Sequence, residues 1–190
     1  TDRPVNTSGC GPSERDTDGD GVNDEPDDCE NTPLGHPVDG AGCPIPQLLS
    51  PAVGAVLDNG CILFDDEIVW DFDWADVPGA GRYHLIVSHP NDIGPLVSHD
   101  NLGESAFRFP SGGYIPDDFQ FGWMWKVRAH IGTVWSEFSP TRSFDLEPPD
   151  FDCMIDTDGD GLPDSHDNCP TVSNPLILDP DTKQYYQADA

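Results

Sequence analysis

Four apolar residues in mid-chain, Ile68, Trp70, Phe72 and Trp74, alternate with Val69, Asp71, Asp73 and Ala75. A period of two places the sets on opposite faces of an extended chain, so the segment predicts a half-buried β-strand. Tyr83, Leu85 and Val87 repeat the pattern after the turn Pro78-Gly79-Ala80-Gly81. Trp123, Trp125, Val127, Ala129 and Ile131 do so again, with Lys126 and Arg128 on the other face. Shorter strands are predicted over 134–138 and 142–146. No stretch has helical periodicity. Frequent Gly and Pro between the strands favour a sandwich over a helix-covered sheet, so the expected fold class is all-β.

Outside this middle region the pattern changes to alternating aspartates. Residues 16–24 read DTDGDGVND and residues 156–164 read DTDGDGLPD. The second loop starts 140 residues after the first (156 − 16), too far for the roughly 20–50-residue period of a solenoid. The same type of module therefore flanks a different domain. Cys43-Pro44-Ile45-Pro46 and Glu147-Pro148-Pro149-Asp150 mark the borders. Proline has a fixed φ and no amide hydrogen, so such stretches act as stiff connectors. The expected domains are an arm at 1–44, a sandwich at 45–148 and a second arm at 149–190.

Charge sharpens this division. The 190 residues carry 36 acids against 8 Lys and Arg, a net charge of −28. Residues 1–44 hold 11 acids, 149–190 hold 10, and 45–148 hold 15 with five of the eight bases. A compact fold so charged repels itself unless it binds cations or sits in high salt. Nucleic acid and anionic membranes are excluded as partners, since both require a basic face. No apolar run approaches the about 20 residues that span a bilayer. No signal peptide is visible, as expected of a mature chain or a fragment. Six cysteines beside acidic loops point to an oxidising compartment. A zinc site is disfavoured, because no CxxC pair occurs and the six histidines lack ligand spacing. Asn6-Thr7-Ser8 is a glycosylation sequon.

The aspartate spacing fits calcium. With Asp16 as position 1, Asp18 is 3, Asp20 is 5, Gly21 is 6, Val22 is 7, Asp24 is 9 and Asp27 is 12. The second loop gives Asp156, Asp158, Asp160, Gly161, Leu162, Asp164 and Asp167 in the same places. Ca²⁺ takes six to eight oxygens in a flexible shell, and glycine at position 6 permits the sharp turn. Val22 and Leu162 would offer backbone carbonyls. Hard oxygen donors favour Ca²⁺ over Zn²⁺ or Cu²⁺, and Mg²⁺ prefers a smaller octahedral shell that keeps its waters. The rival to metal binding is a solvated acidic linker, which would not repeat its glycine or end each loop at a cysteine. An EF-hand or dockerin loop needs an exit helix. Pro26 and Pro163, with Cys169-Pro170, forbid a long one.

DTDGDGVNDEPDDC and DTDGDGLPDSHDNCP resemble thrombospondin type 3 repeats. DDCENTPLGHPVDGAGCP is similar to the ending such repeats take in bacterial outer-membrane proteins. The resemblance covers about a third of the chain. It implies irregular arms wrapped round calcium and stapled by disulfides, with ligand roles for Asp16, Asp18, Asp20, Asp24 and Asp27. It carries the same roles onto Asp156, Asp158, Asp160, Asp164 and Asp167. After Asn174-Pro175 the chain departs from the repeat pattern. The family pattern suggests a Cys29–Cys43 bridge, and proximity suggests Cys153–Cys169, leaving Cys10 and Cys61. The set 10–29, 43–61 and 153–169 stays open as an alternative. Residues 45–148 resemble a fibronectin type III domain through DFDWADVPGAGRYHLIVS and WMWKVRAHIGTVWSEFSPTRSFDL, which implies an immunoglobulin-like β-sandwich serving as spacer or platform. Trp123 stands where that family commonly has a corner tyrosine.

The tryptophans mostly share the apolar face, which assigns Trp74 and Trp125 to the core and leaves Trp135 between core and surface. A glycosidase pair within Asp65-Asp66-Glu67 has nothing to mark it as buried, and no G-x-S-x-G motif occurs, so an enzyme is not expected. The sequence thus predicts an extracellular, calcium-binding structural or adhesive protein of a bacterial surface. Self-association is one expectation: an arm docks on a neighbour's sandwich, or an extended tail over 175–186 adds to a sheet edge. The alternative is a carbohydrate- or protein-binding sandwich on calcium-stiffened spacers.

Overall fold

The computed structural model describes residues 7–9, 11, 13–59, 67–112, 115, 119–147, 156–160, 164, 167–174, 177–178 and 185–186. It is all-β, with no α-helix among the described residues. The described residues form eleven strands, β1 (Leu48–Ser50), β2 (Ala55–Leu57), β3 (Glu67–Trp74), β4 (Ala80–Ser88), β5 (Val97–Leu102), β6 (Ala106–Gly112), β7 (Trp123–Ile131), β8 (Val134–Trp135), β9 (Arg142–Leu146), β10 (Ile177–Leu178) and β11 (Tyr185–Tyr186). One sheet has the order β1-β3-β6, a second the order β2-β9-β7-β4-β5 with β8 also on β7, and β10 and β11 form a third.

The alternation sets the packing. Trp70, Phe72 and Trp74 from β3 and Tyr83, Leu85 and Val87 from β4 are buried. So are Trp123, Trp125, Val127 and Ala129 from β7 and Phe144 from β9. Rings of the two sheets meet edge to face: Trp70 against Trp123 at 5.4 Å, and Phe72 against Trp125 at 5.2 Å. Such offset geometry suits the ring quadrupoles, and these aromatics are among the largest side chains buried in the core. Trp74 and Trp125 are core residues, as their register predicts. Trp123 is a buried indole against His89 and Phe144. A tyrosine hydroxyl does secure a turn, but it is that of Tyr83, which accepts the Val77 amide at 2.9 Å.

The strand expected over 134–138 is regular only to Trp135. Ser136 and Ser139 then continue the ladder by other means. Their amides donate to the Ala129 and Val127 carbonyls, and their hydroxyls accept the Ala129 and Val127 amides. Two side-chain oxygens stand in for main-chain acceptors, so the buried amides of β7 stay satisfied while the partner chain leaves strand geometry.

The chain divides into two compact units. One comprises Thr1–Val56, Trp70–Phe109 and Phe121–Asp145, and the other Leu57–Val69, Pro110–Gln120 and Leu146–Ala190. In the first unit the N-terminal arm is stapled by Cys29–Cys43, which excludes the alternative pairing of those cysteines with Cys10 and Cys61. Cys169 is a free thiol, while Cys10, Cys61 and Cys153 lie outside the described residues. In the second unit β10 and β11 pair antiparallel, Ile177 with Tyr186 and Leu178 with Tyr185. These four residues thus pair with one another, where the sequence suggested a segment that adds to another sheet's edge. The sequon at Asn6 and the carboxylates Asp65 and Asp66 also lie outside the described residues.

Candidate metal centres

The first loop is shaped by its own carboxylates. Asp16 Oδ1 accepts the Gly19 amide at 2.7 Å and its Oδ2 the Gly21 amide at 3.0 Å. Asp18 Oδ1 accepts the Asp20 amide at 3.2 Å, and Asp20 Oδ1 the Val22 amide at 2.7 Å. These are local aspartate turns, in which a short side chain replaces a backbone acceptor. Gly19 and Gly21 have φ of +82° and +99°, values that residues with a Cβ rarely adopt. The turns bring one oxygen from each of Asp16, Asp18 and Asp20 within 4.8 Å of one another.

The second loop repeats this arrangement. Asp156 Oδ1 accepts the Gly159 and Asp160 amides at 2.7 and 3.1 Å, and Asp158 Oδ1 accepts Asp160 at 3.2 Å. Asp156, Asp158 and Asp160 converge within the same 4.8 Å limit. Each loop is also tied to a residue downstream of it. The Thr32 amide donates to Asp18 Oδ2 at 2.7 Å, and the Asn174 amide to Asp160 Oδ2 at 2.9 Å.

The remaining expected ligands divide into two groups. Asp24 and Asp164 face the threonine at the second place of their loops. Asp24 accepts the Thr17 amide at 2.8 Å and the Thr17 hydroxyl at 2.9 Å, and pairs with Arg15. Asp164 accepts the Thr157 amide at 2.8 Å and its hydroxyl. Burial acts to raise Asp24, but the hydrogen bonds from Arg15 and Thr17 outweigh it and hold its carboxyl below the usual value. The Thr157 hydroxyl and amide lower Asp164 in the same way. Thr17 and Thr157 therefore clasp their loops shut. Both threonines belong to the repeated DTDGDG word, where a position between two aspartates does not read as an ion ligand.

Asp27 and Asp167 instead turn back, each accepting the amide of the cysteine two residues on at 2.7 Å. Gly42 shows how closely Asp27 is enclosed. A Cβ there would lie 2.1 Å from Asp27 Oδ1 and 3.1 Å from Asp20 Oδ2, so two carboxylates press against one glycine. Val22 is half-buried, with its amide on Asp20. Leu162 and Gly161 lie outside the described residues.

Electrostatics provide the test of fit. Asp20 Oδ2 and Asp158 Oδ2 are shielded from solvent and accept no hydrogen bond. A buried carboxylate oxygen without a partner is costly unless a cation meets it. Burial pushes the Asp27 carboxyl up, against the Cys29 hydrogen bond, and the charges of Asp20, Asp18 and Glu30 push it further. Burial likewise raises Asp158, opposed by the Asp160 amide and reinforced by the charges of Asp160, Asp167 and Asp156. Each cluster thus has converging all-oxygen donors, an unsatisfied inward oxygen and crowded like charge. A hard divalent cation the size of Ca²⁺ fits that donor set.

One further carboxylate of the arm has a role that the sequence does not signal. Asp39 is buried, with Oδ1 accepting the Ala41 and Cys43 amides at 2.9 and 3.1 Å and Oδ2 accepting the Glu137 amide at 2.7 Å. It closes the disulfide hairpin and fastens it to the segment after β8. No local spacing signals a bond across 98 residues.

The chain is similar to proteins already known in two respects. No curated protein matches it. A solved Fn3-like protein from Clostridium thermocellum is 14% identical over 53% of this chain and 97% of that one, with a TM-score of 0.30. The model of the thrombospondin type 3 repeat, a calcium-binding extracellular module, matches residues 2–35 and 152–176, so both acidic segments are similar to that repeat.

Proposed function

We propose that this is an extracellular calcium-binding structural or adhesive protein in which two Ca²⁺-ordered arms, 1–44 and 149–190, flank a sandwich at 45–148. The observation that carries the reading is the pair of orphaned inward oxygens, Asp20 Oδ2 and Asp158 Oδ2, each inside a repeat-matched aspartate cluster. Asp16, Asp18, Asp20 and Asp27, with the Val22 carbonyl, would hold the first ion. Asp156, Asp158, Asp160 and Asp167, with Leu162, would hold the second. Asp24 and Asp164 belong to the same shells, either directly or through the threonine clasps that shape them.

Calcium's role here is electrostatic. It neutralises carboxylates that otherwise repel, so its binding free energy becomes folding free energy of the arms. No step of chemistry is assigned to it, and the protein is read as non-enzymatic. Carbohydrate stacking by the sandwich has less support. Trp70, Trp74, Trp123 and Trp125 are buried, and Trp135 carries guanidinium groups against its ring. Isothermal titration of Ca²⁺ into chelator-treated full chain tests the reading. Saturable heat is expected, and a flat titration would sink it.

A further inference from the structure

Of the chain's eight cationic residues, six are described, and three of these make familiar internal bonds. Arg15 pairs with Asp24, Arg108 with Asp71, and Arg142 donates to the Leu48, Leu49 and Pro51 carbonyls. The other three, Arg82, Lys126 and Arg128, stand on the outward face of β4 and β7, and no described carboxylate forms an ion pair with any of them. They are held by rings. Arg82 lies 5.1 Å from the Trp135 centroid, Arg128 lies 4.7 Å from both Trp135 and Phe138, and Lys126 lies 4.5 Å from Phe138. Cation and ring alternate along the strip, with Arg128 also donating to His84 Nδ1. Of the acidic groups, Asp100 is close enough for its charge to reach His84, and Glu137 precedes Phe138 in the chain.

A protein of net charge −28 in which three cations have no carboxylate partner among the described residues has a surface complementary to most of itself. Stacking also fixes these long side chains in advance, so a partner that binds them loses less side-chain entropy. We infer that this strip docks the acidic first arm of a second copy of this chain. That arm keeps Glu25, Asp28 and Glu30 exposed beside the cluster, so it stays negative even when its inner aspartates hold an ion. The net repulsion between copies acts at long range and is screened beyond about 8 Å at physiological salt, which leaves short-range complementarity to decide. Strip and arm are different patches, so the contact is heterologous, and a repeated heterologous contact builds a ring or an open filament. The inference rests on the calcium reading above and gives that structural role its contact surface.

The test is sedimentation velocity of the full chain in millimolar calcium over a concentration series. Concentration-dependent species larger than the monomer are expected, and they should dissociate in roughly 1 M salt, where the Debye length falls to about 3 Å. Lys126→Glu and Arg82→Glu, at the ends of the strip, should each shift the apparent association constant by at least tenfold while far-UV circular dichroism is unchanged. Carbodiimide should link Lys126 to Glu25, Asp28 or Glu30 between differently isotope-labelled copies. A monomer at every concentration overturns the inference, as does an oligomer indifferent to salt and to both variants. A monomer that binds a sulfated polysaccharide through the strip also overturns it, in favour of a glycan partner. Calcium heats measured on the same sample separate these outcomes from failure of the calcium reading.

Discussion

Asp39 Oδ2 accepts the Glu137 amide at 2.7 Å, joining the Cys29–Cys43 hairpin to the segment that carries Phe138. The same carboxylate caps two amides of its own hairpin, so one buried side chain serves three donors. Asp39→Ala should leave those amides without their acceptor. Unsatisfied buried donors cost about 1–3 kcal/mol each, and partial hydration makes a total loss of roughly 2–4 kcal/mol the expectation. Urea denaturation of the full chain reads it, and a change below about 0.5 kcal/mol would deny the bond a structural role.

Gly42→Ala should damage the first metal centre and spare the second. The new methyl would overlap Asp27 Oδ1, and φ at this position is +74°. At least a tenfold loss of calcium affinity is expected at one of two sites, about 1.4 kcal/mol, visible as a split isotherm.

Asp20→Ala and Asp158→Ala should change sign with the metal. In chelator each removes a crowded charge with an orphaned oxygen, so stability should hold or rise. In calcium each should lose a large part of the ion-dependent gain in melting temperature. Equal destabilisation in both conditions would show that these carboxylates are ordinary structural acceptors.

Calcium removal should act unevenly along the chain. Limited proteolysis in EDTA is expected to cut within 10–43 and 150–181 and to leave most of 45–148 intact. Uniform cleavage would contradict the division into arms and sandwich.

His84 sets a pH dependence on the cation–ring face. Its Nδ1 accepts from Arg128 at 3.2 Å, so the proton belongs on Nε2, 3.1 Å from Ser98 Oγ. Burial lowers its pKa below 6.5, the charges of Arg128 and Lys126 lower it further, and Asp100 pulls the other way. The unfolded chain therefore binds more protons just below pH 6.5, and stability should fall as pH drops through that value towards the folded pKa. His84→Gln should flatten that limb of the curve. An unaltered slope in the variant would assign the effect to another group.

The sandwich was legible because one physical rule governs it. Period-two alternation in β3, β4 and β7 placed Trp70, Phe72, Trp74, Leu85, Trp125 and Val127 inside, and they are buried there. The aspartate triplets were legible because a short loop determines its own geometry. What failed to show was long-range or borrowed. Ser136 and Ser139 pair through hydroxyls, which no strand pattern encodes. Asp39 carried no local signal, because its third partner is distant in sequence. Lys126 and Arg128 read as outward-facing strand positions, and nothing in the pattern linked them to Arg82. Only the return of Trp135 and Phe138 over that face gives them a common purpose.

All five tryptophans belong to residues 70–135, and neither aspartate arm contains one. Four are sealed between the sheets, while Trp135 alone is half-buried, one residue before the Ser136–Ser139 segment to which Asp39 is fastened. Indole emission therefore tracks the melting of the sandwich and is nearly blind to the arms. A change in it when calcium is added therefore reports on the sandwich, with half-buried Trp135 beside the Asp39 attachment as its nearest reporter, and separates an ion felt only locally from one whose effect crosses into the β-domain.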